Sequence, residues 1–163
     1  MVDVHIETRA AAVLANFWIQ DAHGRPSVPV DPILIARSLG LDVFFSYLDP
    51  DVAGILLKEK GGTPQIHLNA RDPLVRQRFT CGHEVGHYIR RSESDDADFG
   101  YVDKRDALSA RGTDPEERWA NGFAAALLMP ADVVRARRDY GAEKLAAEMK
   151  VSLEAMRNRL SNL

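Results

Sequence analysis

The chain has 163 residues, 45% hydrophobic and 28% charged, with a net charge of −3 and a pI of about 5.9. That length suits one domain able to bury about 70% of its unfolded surface, and the mild acidity gives no general pull toward nucleic acid or an anionic membrane. Cys81 is the only cysteine, which excludes an intramolecular disulfide and a cysteine-rich metal cluster.

The opening stretch, MVDVHIETRAAAVLANFWIQ, carries charge early and lacks the basic-then-apolar order of a signal peptide. No apolar run reaches the ~18 residues of a membrane span, so a cytoplasmic protein without membrane association is expected. Residues 6 to about 20 read as a helix, with Ala10, Val13, Leu14, Phe17 and Trp18 at helical spacing. DAHGRPSVPVDP is a loop. Asp31-Pro32 starts a short helix as N-cap and first position, and Gly40 stops it. LDVFFSYL, VAGILLKEK and QIHLN read as strands, with a turn at Gly61-Gly62. Asp72-Pro73 opens a long helix to about Arg91. SESDDADFGYVDKRDALSARGT follows without periodicity, and its length suggests a functional or mobile segment. Asp114-Pro115 starts EERWANGFAAALLM, which Pro130 ends. Three short helices close the chain: ADVVRARRDYG, EKLAAEMK and SLEAMRNRL. The expected fold is one α+β domain over residues 1–163. A small, mostly antiparallel three-stranded sheet packs on the 73–91 helix, with further helices around it.

Within that long helix lies CGHEVGHYIRR. Residues four apart share a helix face, so His83 and His87 can reach one metal ion. Glu84 is rotated about 100° from His83 and lies beside the metal, placed to take a proton from activated water. Histidine-glutamate spacing of this kind is the signature of zinc peptidases. The plain alternative is a solvated helix face with two histidines.

A catalytic zinc takes three protein ligands and keeps one position open. His5, His23 and His67 precede the helix in a terminus, a loop and a strand. Glu117 lies 30 residues after His87, and Asn121 four after Glu117. That pair lets Glu117 bind metal while Asn121 supports a ligand histidine from behind. Glu117 could equally form a capping box with Asp114, and Glu116 is an adjacent carboxylate. Helical geometry alone leaves these alternatives open.

HEVGH followed by ERWANGFAAALLMP closely resembles the ImmA/IrrE family of zinc metallopeptidases. That family pairs a histidine-glutamate helix with E-x-x-A-N-x-F-A-A-x-L-L-M-P, and every specified position matches from Glu117 to Pro130. VDPILIARSLGLDV resembles the family's opening helix and strand, and VSLEAMRNRL its closing helices. The likeness covers residues 30 to 160, and the first 25 residues match nothing in it. It implies a zincin-like fold with a catalytic core at about 30–130 and closing helices at 131–163. It implies one Zn2+ per chain held by His83, His87 and Glu117, a gluzincin-like arrangement, with Glu84 as general base. The usual substrate in the family is a helix-turn-helix repressor, cut once to release stress or mobile-element genes, sometimes in a toxin-antitoxin-like arrangement. Some members append a DNA-binding or sensor domain, and from the length of this sequence none is expected here. The alternative is a regulatory protein that holds such a partner on the same fold without cutting it.

Other residues carry lesser claims. His67 alternates with Gln65 and Asn69. On an edge strand lining the cleft it could touch substrate or the oxyanion, and otherwise it lies on a polar strand face. Tyr101 and Arg105, between the two motif helices, could donate to the oxyanion. Cys81 reads as a small buried apolar residue. The closing helices mix seven cations with five carboxylates. VSLEAMRNRL resembles half of a helix-turn-helix, yet Val151, Leu153, Met156 and Leu160 are spaced for core packing. No direct DNA binding is expected.

Overall fold

Four Asp-Pro steps punctuate the chain, and two of them, Asp31-Pro32 and Asp114-Pro115, cap helices. Asp31 accepts from the backbone N–H of Ile33 and Leu34 at the start of α2 (Pro32–Ser38). Asp114 accepts from Glu116 N–H at the start of α4 (Pro115–Leu128). Proline at the first helical position loses a donor that has no intrahelical partner there. The third step differs: Pro73 itself takes the N-cap position of α3 (Leu74–Arg91), and no side chain caps that helix.

The computed structural model describes residues 3–92, 99–104 and 114–163. Helix α1 (Val4–Phe17) comes first. The strands are β1 (Asp42–Ser46), β2 (Val52–Lys58), β3 (Gln65–Asn69) and β4 (Phe99–Lys104). The closing helices are α5 (Ala131–Ala136), α6 (Ala142–Met149) and α7 (Leu153–Asn162). The class is α+β, and the pairing is mostly antiparallel. The strand order is β1-β3-β2-β4: β1 runs parallel to β3, while β3–β2 and β2–β4 are antiparallel. The fourth strand, β4, comes from the stretch that lacks periodicity. An edge strand draws its hydrogen bonds from one neighbour and has little need of a regular apolar face.

Alternation along the strands decides which face meets the helices. Val43, Leu56, Ile66 and Leu68 are buried in one core with Cys81 and Val85 of α3 and Phe123 and Leu127 of α4. The second cluster gathers Leu128, Met129, Val133, Leu145, Met149 and Met156 around the closing helices. Full burial of a side chain such as Phe123 contributes about 1.5–3 kcal/mol.

Helices α3 and α4 approach closely because glycine lines the contact. A Cβ on Gly82 would stand 3.3 Å from Ala124 Cβ, and one on Gly86 would stand 3.2 Å from the Phe123 ring and 3.3 Å from Ala120 Cα. Farther out, long side chains bridge the gaps. Arg78 of α3 donates to Val30 O at 2.6 Å, to Lys150 O at 3.2 Å and to Met149 O at 3.4 Å. Lys150 ends α6 in the left-handed region (φ 53°), a conformation that costs a non-glycine residue about 1–2 kcal/mol, and the Arg78 bond helps to hold it. Arg159 of α7 donates to Met129 O and makes a two-pronged pair with Glu7 of α1. No helix among the described residues is long and apolar enough to cross a membrane.

Candidate metal centre

His83 and His87 stand one turn apart on the middle of α3, and both are fully buried. Glu117 comes from the first turn of α4 and Asn121 from one turn later. The stripe Glu117, Ala120, Asn121, Ala124 faces α3, because Ala120 and Ala124 are the residues that Gly86 and Gly82 admit. The close helix crossing therefore carries Glu117 and Asn121 to the histidines.

Three ligand-type side chains converge. His83 Nε2 and His87 Nε2 are 3.0 Å apart, Glu117 Oε2 is 3.2 Å from His83 Nε2, and Glu117 Oε1 is 3.3 Å from His87 Nε2. Ligands held tetrahedrally at ~2.0–2.1 Å from one ion are spaced by roughly 3.3 Å, so the triangle fits three corners of such a site. Among the described residues, this is the group of three or more histidine, cysteine or acidic side chains that could hold a metal ion. The donor chemistry agrees: two imidazole lone pairs and a carboxylate facing one another in a buried space repel unless a cation lies among them.

The outer ring nitrogens are held from behind. Asn121 Oδ1, which can only accept, is 2.9 Å from His83 Nδ1. The proton of His83 therefore sits on Nδ1 and the lone pair of Nε2 faces the triangle. His87 Nδ1 has Glu116 Oε1 at 3.9 Å, and the same oxygen is 3.6 Å from Arg91 Nε. So the two adjacent carboxylates divide their work. Glu117 enters the triangle, and Glu116 stands behind His87 and pairs with Arg91. The Asp114–Glu117 capping box does not form, since Asp114 accepts from Glu116 N–H and the Glu117 carboxylate is engaged with the histidines.

Glu84 is fully buried and stays out of the triangle. Its carboxylate lies toward the sheet, against Gly54 of β2. Cys81 is also fully buried, and burial, helped by nearby Glu84, pushes its thiol well above the ordinary range. It is inert packing.

A family model for the IrrE N-terminal-like domain, peptidase M78, matches residues 36–161. The chain belongs to this family. Among solved structures, a Mycobacterium tuberculosis transcriptional regulator shares the fold over 98% of this chain, at 20% identity and a TM-score of 0.64. The chain spans about half of that protein (47%), and at such identity the likeness is one of fold alone. No curated protein sequence matches the chain.

In this M78 domain the lesser candidates fall away from the histidines or beyond description. β3 is an interior strand between β1 and β2, not an edge, so the expected cleft-lining role of its histidine loses its basis. Leu68 pairs with Gly54 and shares its helix-facing side, which turns His67 to the opposite face. There His67 stacks on Phe44 and bonds to Ser46 Oγ at 2.9 Å and Gln65 Oε1 at 3.2 Å. The Tyr101 backbone lies in β4, while its side chain and the whole of Arg105 lie outside the described residues. Two residues escaped the sequence reading. Arg78 looked like one cation among many. Gly54 had a visible signal, since an isolated glycine inside a strand marks a bulge or a close approach.

Proposed function

We propose that this chain is a zinc-dependent endopeptidase. It works in the cytoplasm and cuts a helix-turn-helix transcriptional repressor, or an antitoxin of that kind, at one site to release stress or mobile-element genes. The observation that carries the reading is the triangle of His83, His87 and Glu117 with the buried Glu84 carboxylate one residue along the helix. Two imidazoles and a carboxylate suit zinc, one ion per chain. When bound, zinc supplies a Lewis acid that polarises the scissile carbonyl and lowers the pKa of water toward ~7.

The protein's own groups do the rest. Asn121 fixes the tautomer and tilt of His83, and Glu116 stands behind His87. Glu84 takes the proton of the attacking water on a carboxylate oxygen and returns it to the leaving amine nitrogen. The family supports a peptidase. The burial of Met156 and Arg159 in α7, with Arg159 turned inward onto Glu7 and Met129 O, argues against that helix reading DNA.

The test is Glu84→Gln. Glutamine is nearly isosteric and Glu84 is not in the triangle, so fold and metal content should stay as in wild type. Cleavage of a co-expressed repressor should fall by ~10²–10⁴-fold, the usual share of a general base. If wild type and variant relieve repression equally, the peptidase reading is lost. The chain is then a binding partner of the toxin-antitoxin kind that acts without cutting.

A further inference from the structure

Glu84 meets the sheet where a side chain is missing. A Cβ on Gly54 would stand 2.5 Å from Thr80 Cγ2 and 2.7 Å from Glu84 Oε1. Thr80 and Glu84 are both fully buried, so the added methyl would crowd the interior rather than solvent. Gly54 does not use the positive-φ backbone that glycine permits, since the glycines that do are Gly24, Gly40, Gly61 and Gly141. What glycine supplies here is space. The β2–β4 register also shifts between Val52 and Gly54. A bulge of this kind bends a strand and re-aims what lies on it. Glycine within a strand weakens it, so the position carries a cost that the close contact explains.

We propose that Gly54 is a positioning residue for Glu84. By lacking a Cβ it lets β2 press against α3, and with Thr80 it forms the wall that sets the depth of the Glu84 carboxylate. The strand thus aims the base, while α4 aims the metal ligands. This rests on the peptidase reading above.

The variant is Gly54→Ala. To regain ordinary contact the Glu84 carboxylate has to retreat by roughly 0.7 Å, and displacements near 1 Å cost up to ~10²-fold in rate. The expected result is a kcat lower by ~10- to 100-fold, with KM and metal content unchanged. In a Glu84→Gln background the same substitution should cost no further activity, because the group it displaces has already lost its role. A general loosening of the fold would lower both backgrounds alike and would overturn the proposal, as would an unchanged kcat in Gly54→Ala.

A second readout needs no activity. In metal-free protein, Gly54→Ala should lower Tm, and should lower it less in a Glu84→Ala background, where the carboxylate is gone. Equal losses of Tm in the two backgrounds would sink the placement of Glu84 by Gly54. If Gly54→Ala does not fold, pairing it with Thr80→Ser removes the nearer methyl clash and keeps the contact with Glu84, so the same measurements apply. A wild type that cuts nothing, with the Tm coupling present, overturns the peptidase reading and supports the placement.

Discussion

Helix α3 makes two of its contacts by opposite means. Against α4 it presents Gly82 and Gly86, and the backbones come close enough that one added methyl meets Ala124 or Phe123 at 3.2–3.3 Å. Four residues before Gly82 it presents Arg78, whose guanidinium reaches across to the carbonyls of Val30, Met149 and Lys150. At its closest points the first contact is set by small residues, while the second is carried by one long side chain. The difference follows from what each must hold. The triangle needs Glu117 within about an ångström of one position, and small residues packed on backbone leave little freedom. The closing helices need only to stay attached, and a long flexible donor tolerates small shifts in its partners.

Breaking the triangle itself should have the largest effect. His83→Ala removes one corner and leaves Asn121 without the ring it holds. Purified variant should contain no stoichiometric metal by elemental analysis, against about one ion per chain in wild type, and cleavage should vanish. Metal retained at the wild-type level would mean that the triangle is not the binding site.

Next comes the close contact. Gly86→Ala gains about 1 kcal/mol of helix propensity, but overpacking a full core costs about 1–3 kcal/mol. The crowding should win, because Ala120 Cα is backbone and cannot move without carrying α4 along. We expect lower stability in denaturant unfolding, and weaker metal binding by the folded protein as Glu117 is pushed back. A stability loss with metal affinity intact would show that the close crossing does not set Glu117.

The smallest expected effect belongs to Arg78→Leu. Removing the donor strands buried carbonyls at about 1–3 kcal/mol, an amount partly offset because burial already pulls the Arg78 pKa below its ordinary value. Urea midpoints should fall, while titration of the folded variant with zinc should match wild type. A loss of metal affinity here would erase the contrast between the two contacts.

Much of this was written plainly in the chain. His83 and His87 announce themselves by spacing, and Asp31-Pro32 and Asp114-Pro115 mark helix starts that the structure keeps. Glu117 against Glu116 was harder. Adjacent helical residues differ by about 100°, and the phase is set by which alanines meet which glycines, a tertiary fact. The order of the sheet was not readable either. Three strands in succession suggest a simple meander, whereas β3 inserts between β1 and β2 and pairs parallel with β1. Short apolar runs fix strand faces without fixing neighbours. The face of His67 was readable in principle, because Ile66 and Leu68 on either side claim the core.

The Glu7–Arg159 pair joins residues 152 apart in sequence, so nearly the whole chain lies inside the ring it closes. The entropy of so long a closure grows only as the logarithm of its length, so the ring is affordable. Its cost is paid in time. Contacts between distant segments wait for local ones, and helices and hairpins assemble first. This clasp between the first helix and the last is expected to close after the local contacts of α3 and α4 have formed. Reversed, the same order makes it an early contact to open. Removing either partner of the pair would unfasten the first helix from the last, while Ala10, Val13 and Leu14 still hold α1 in the main core.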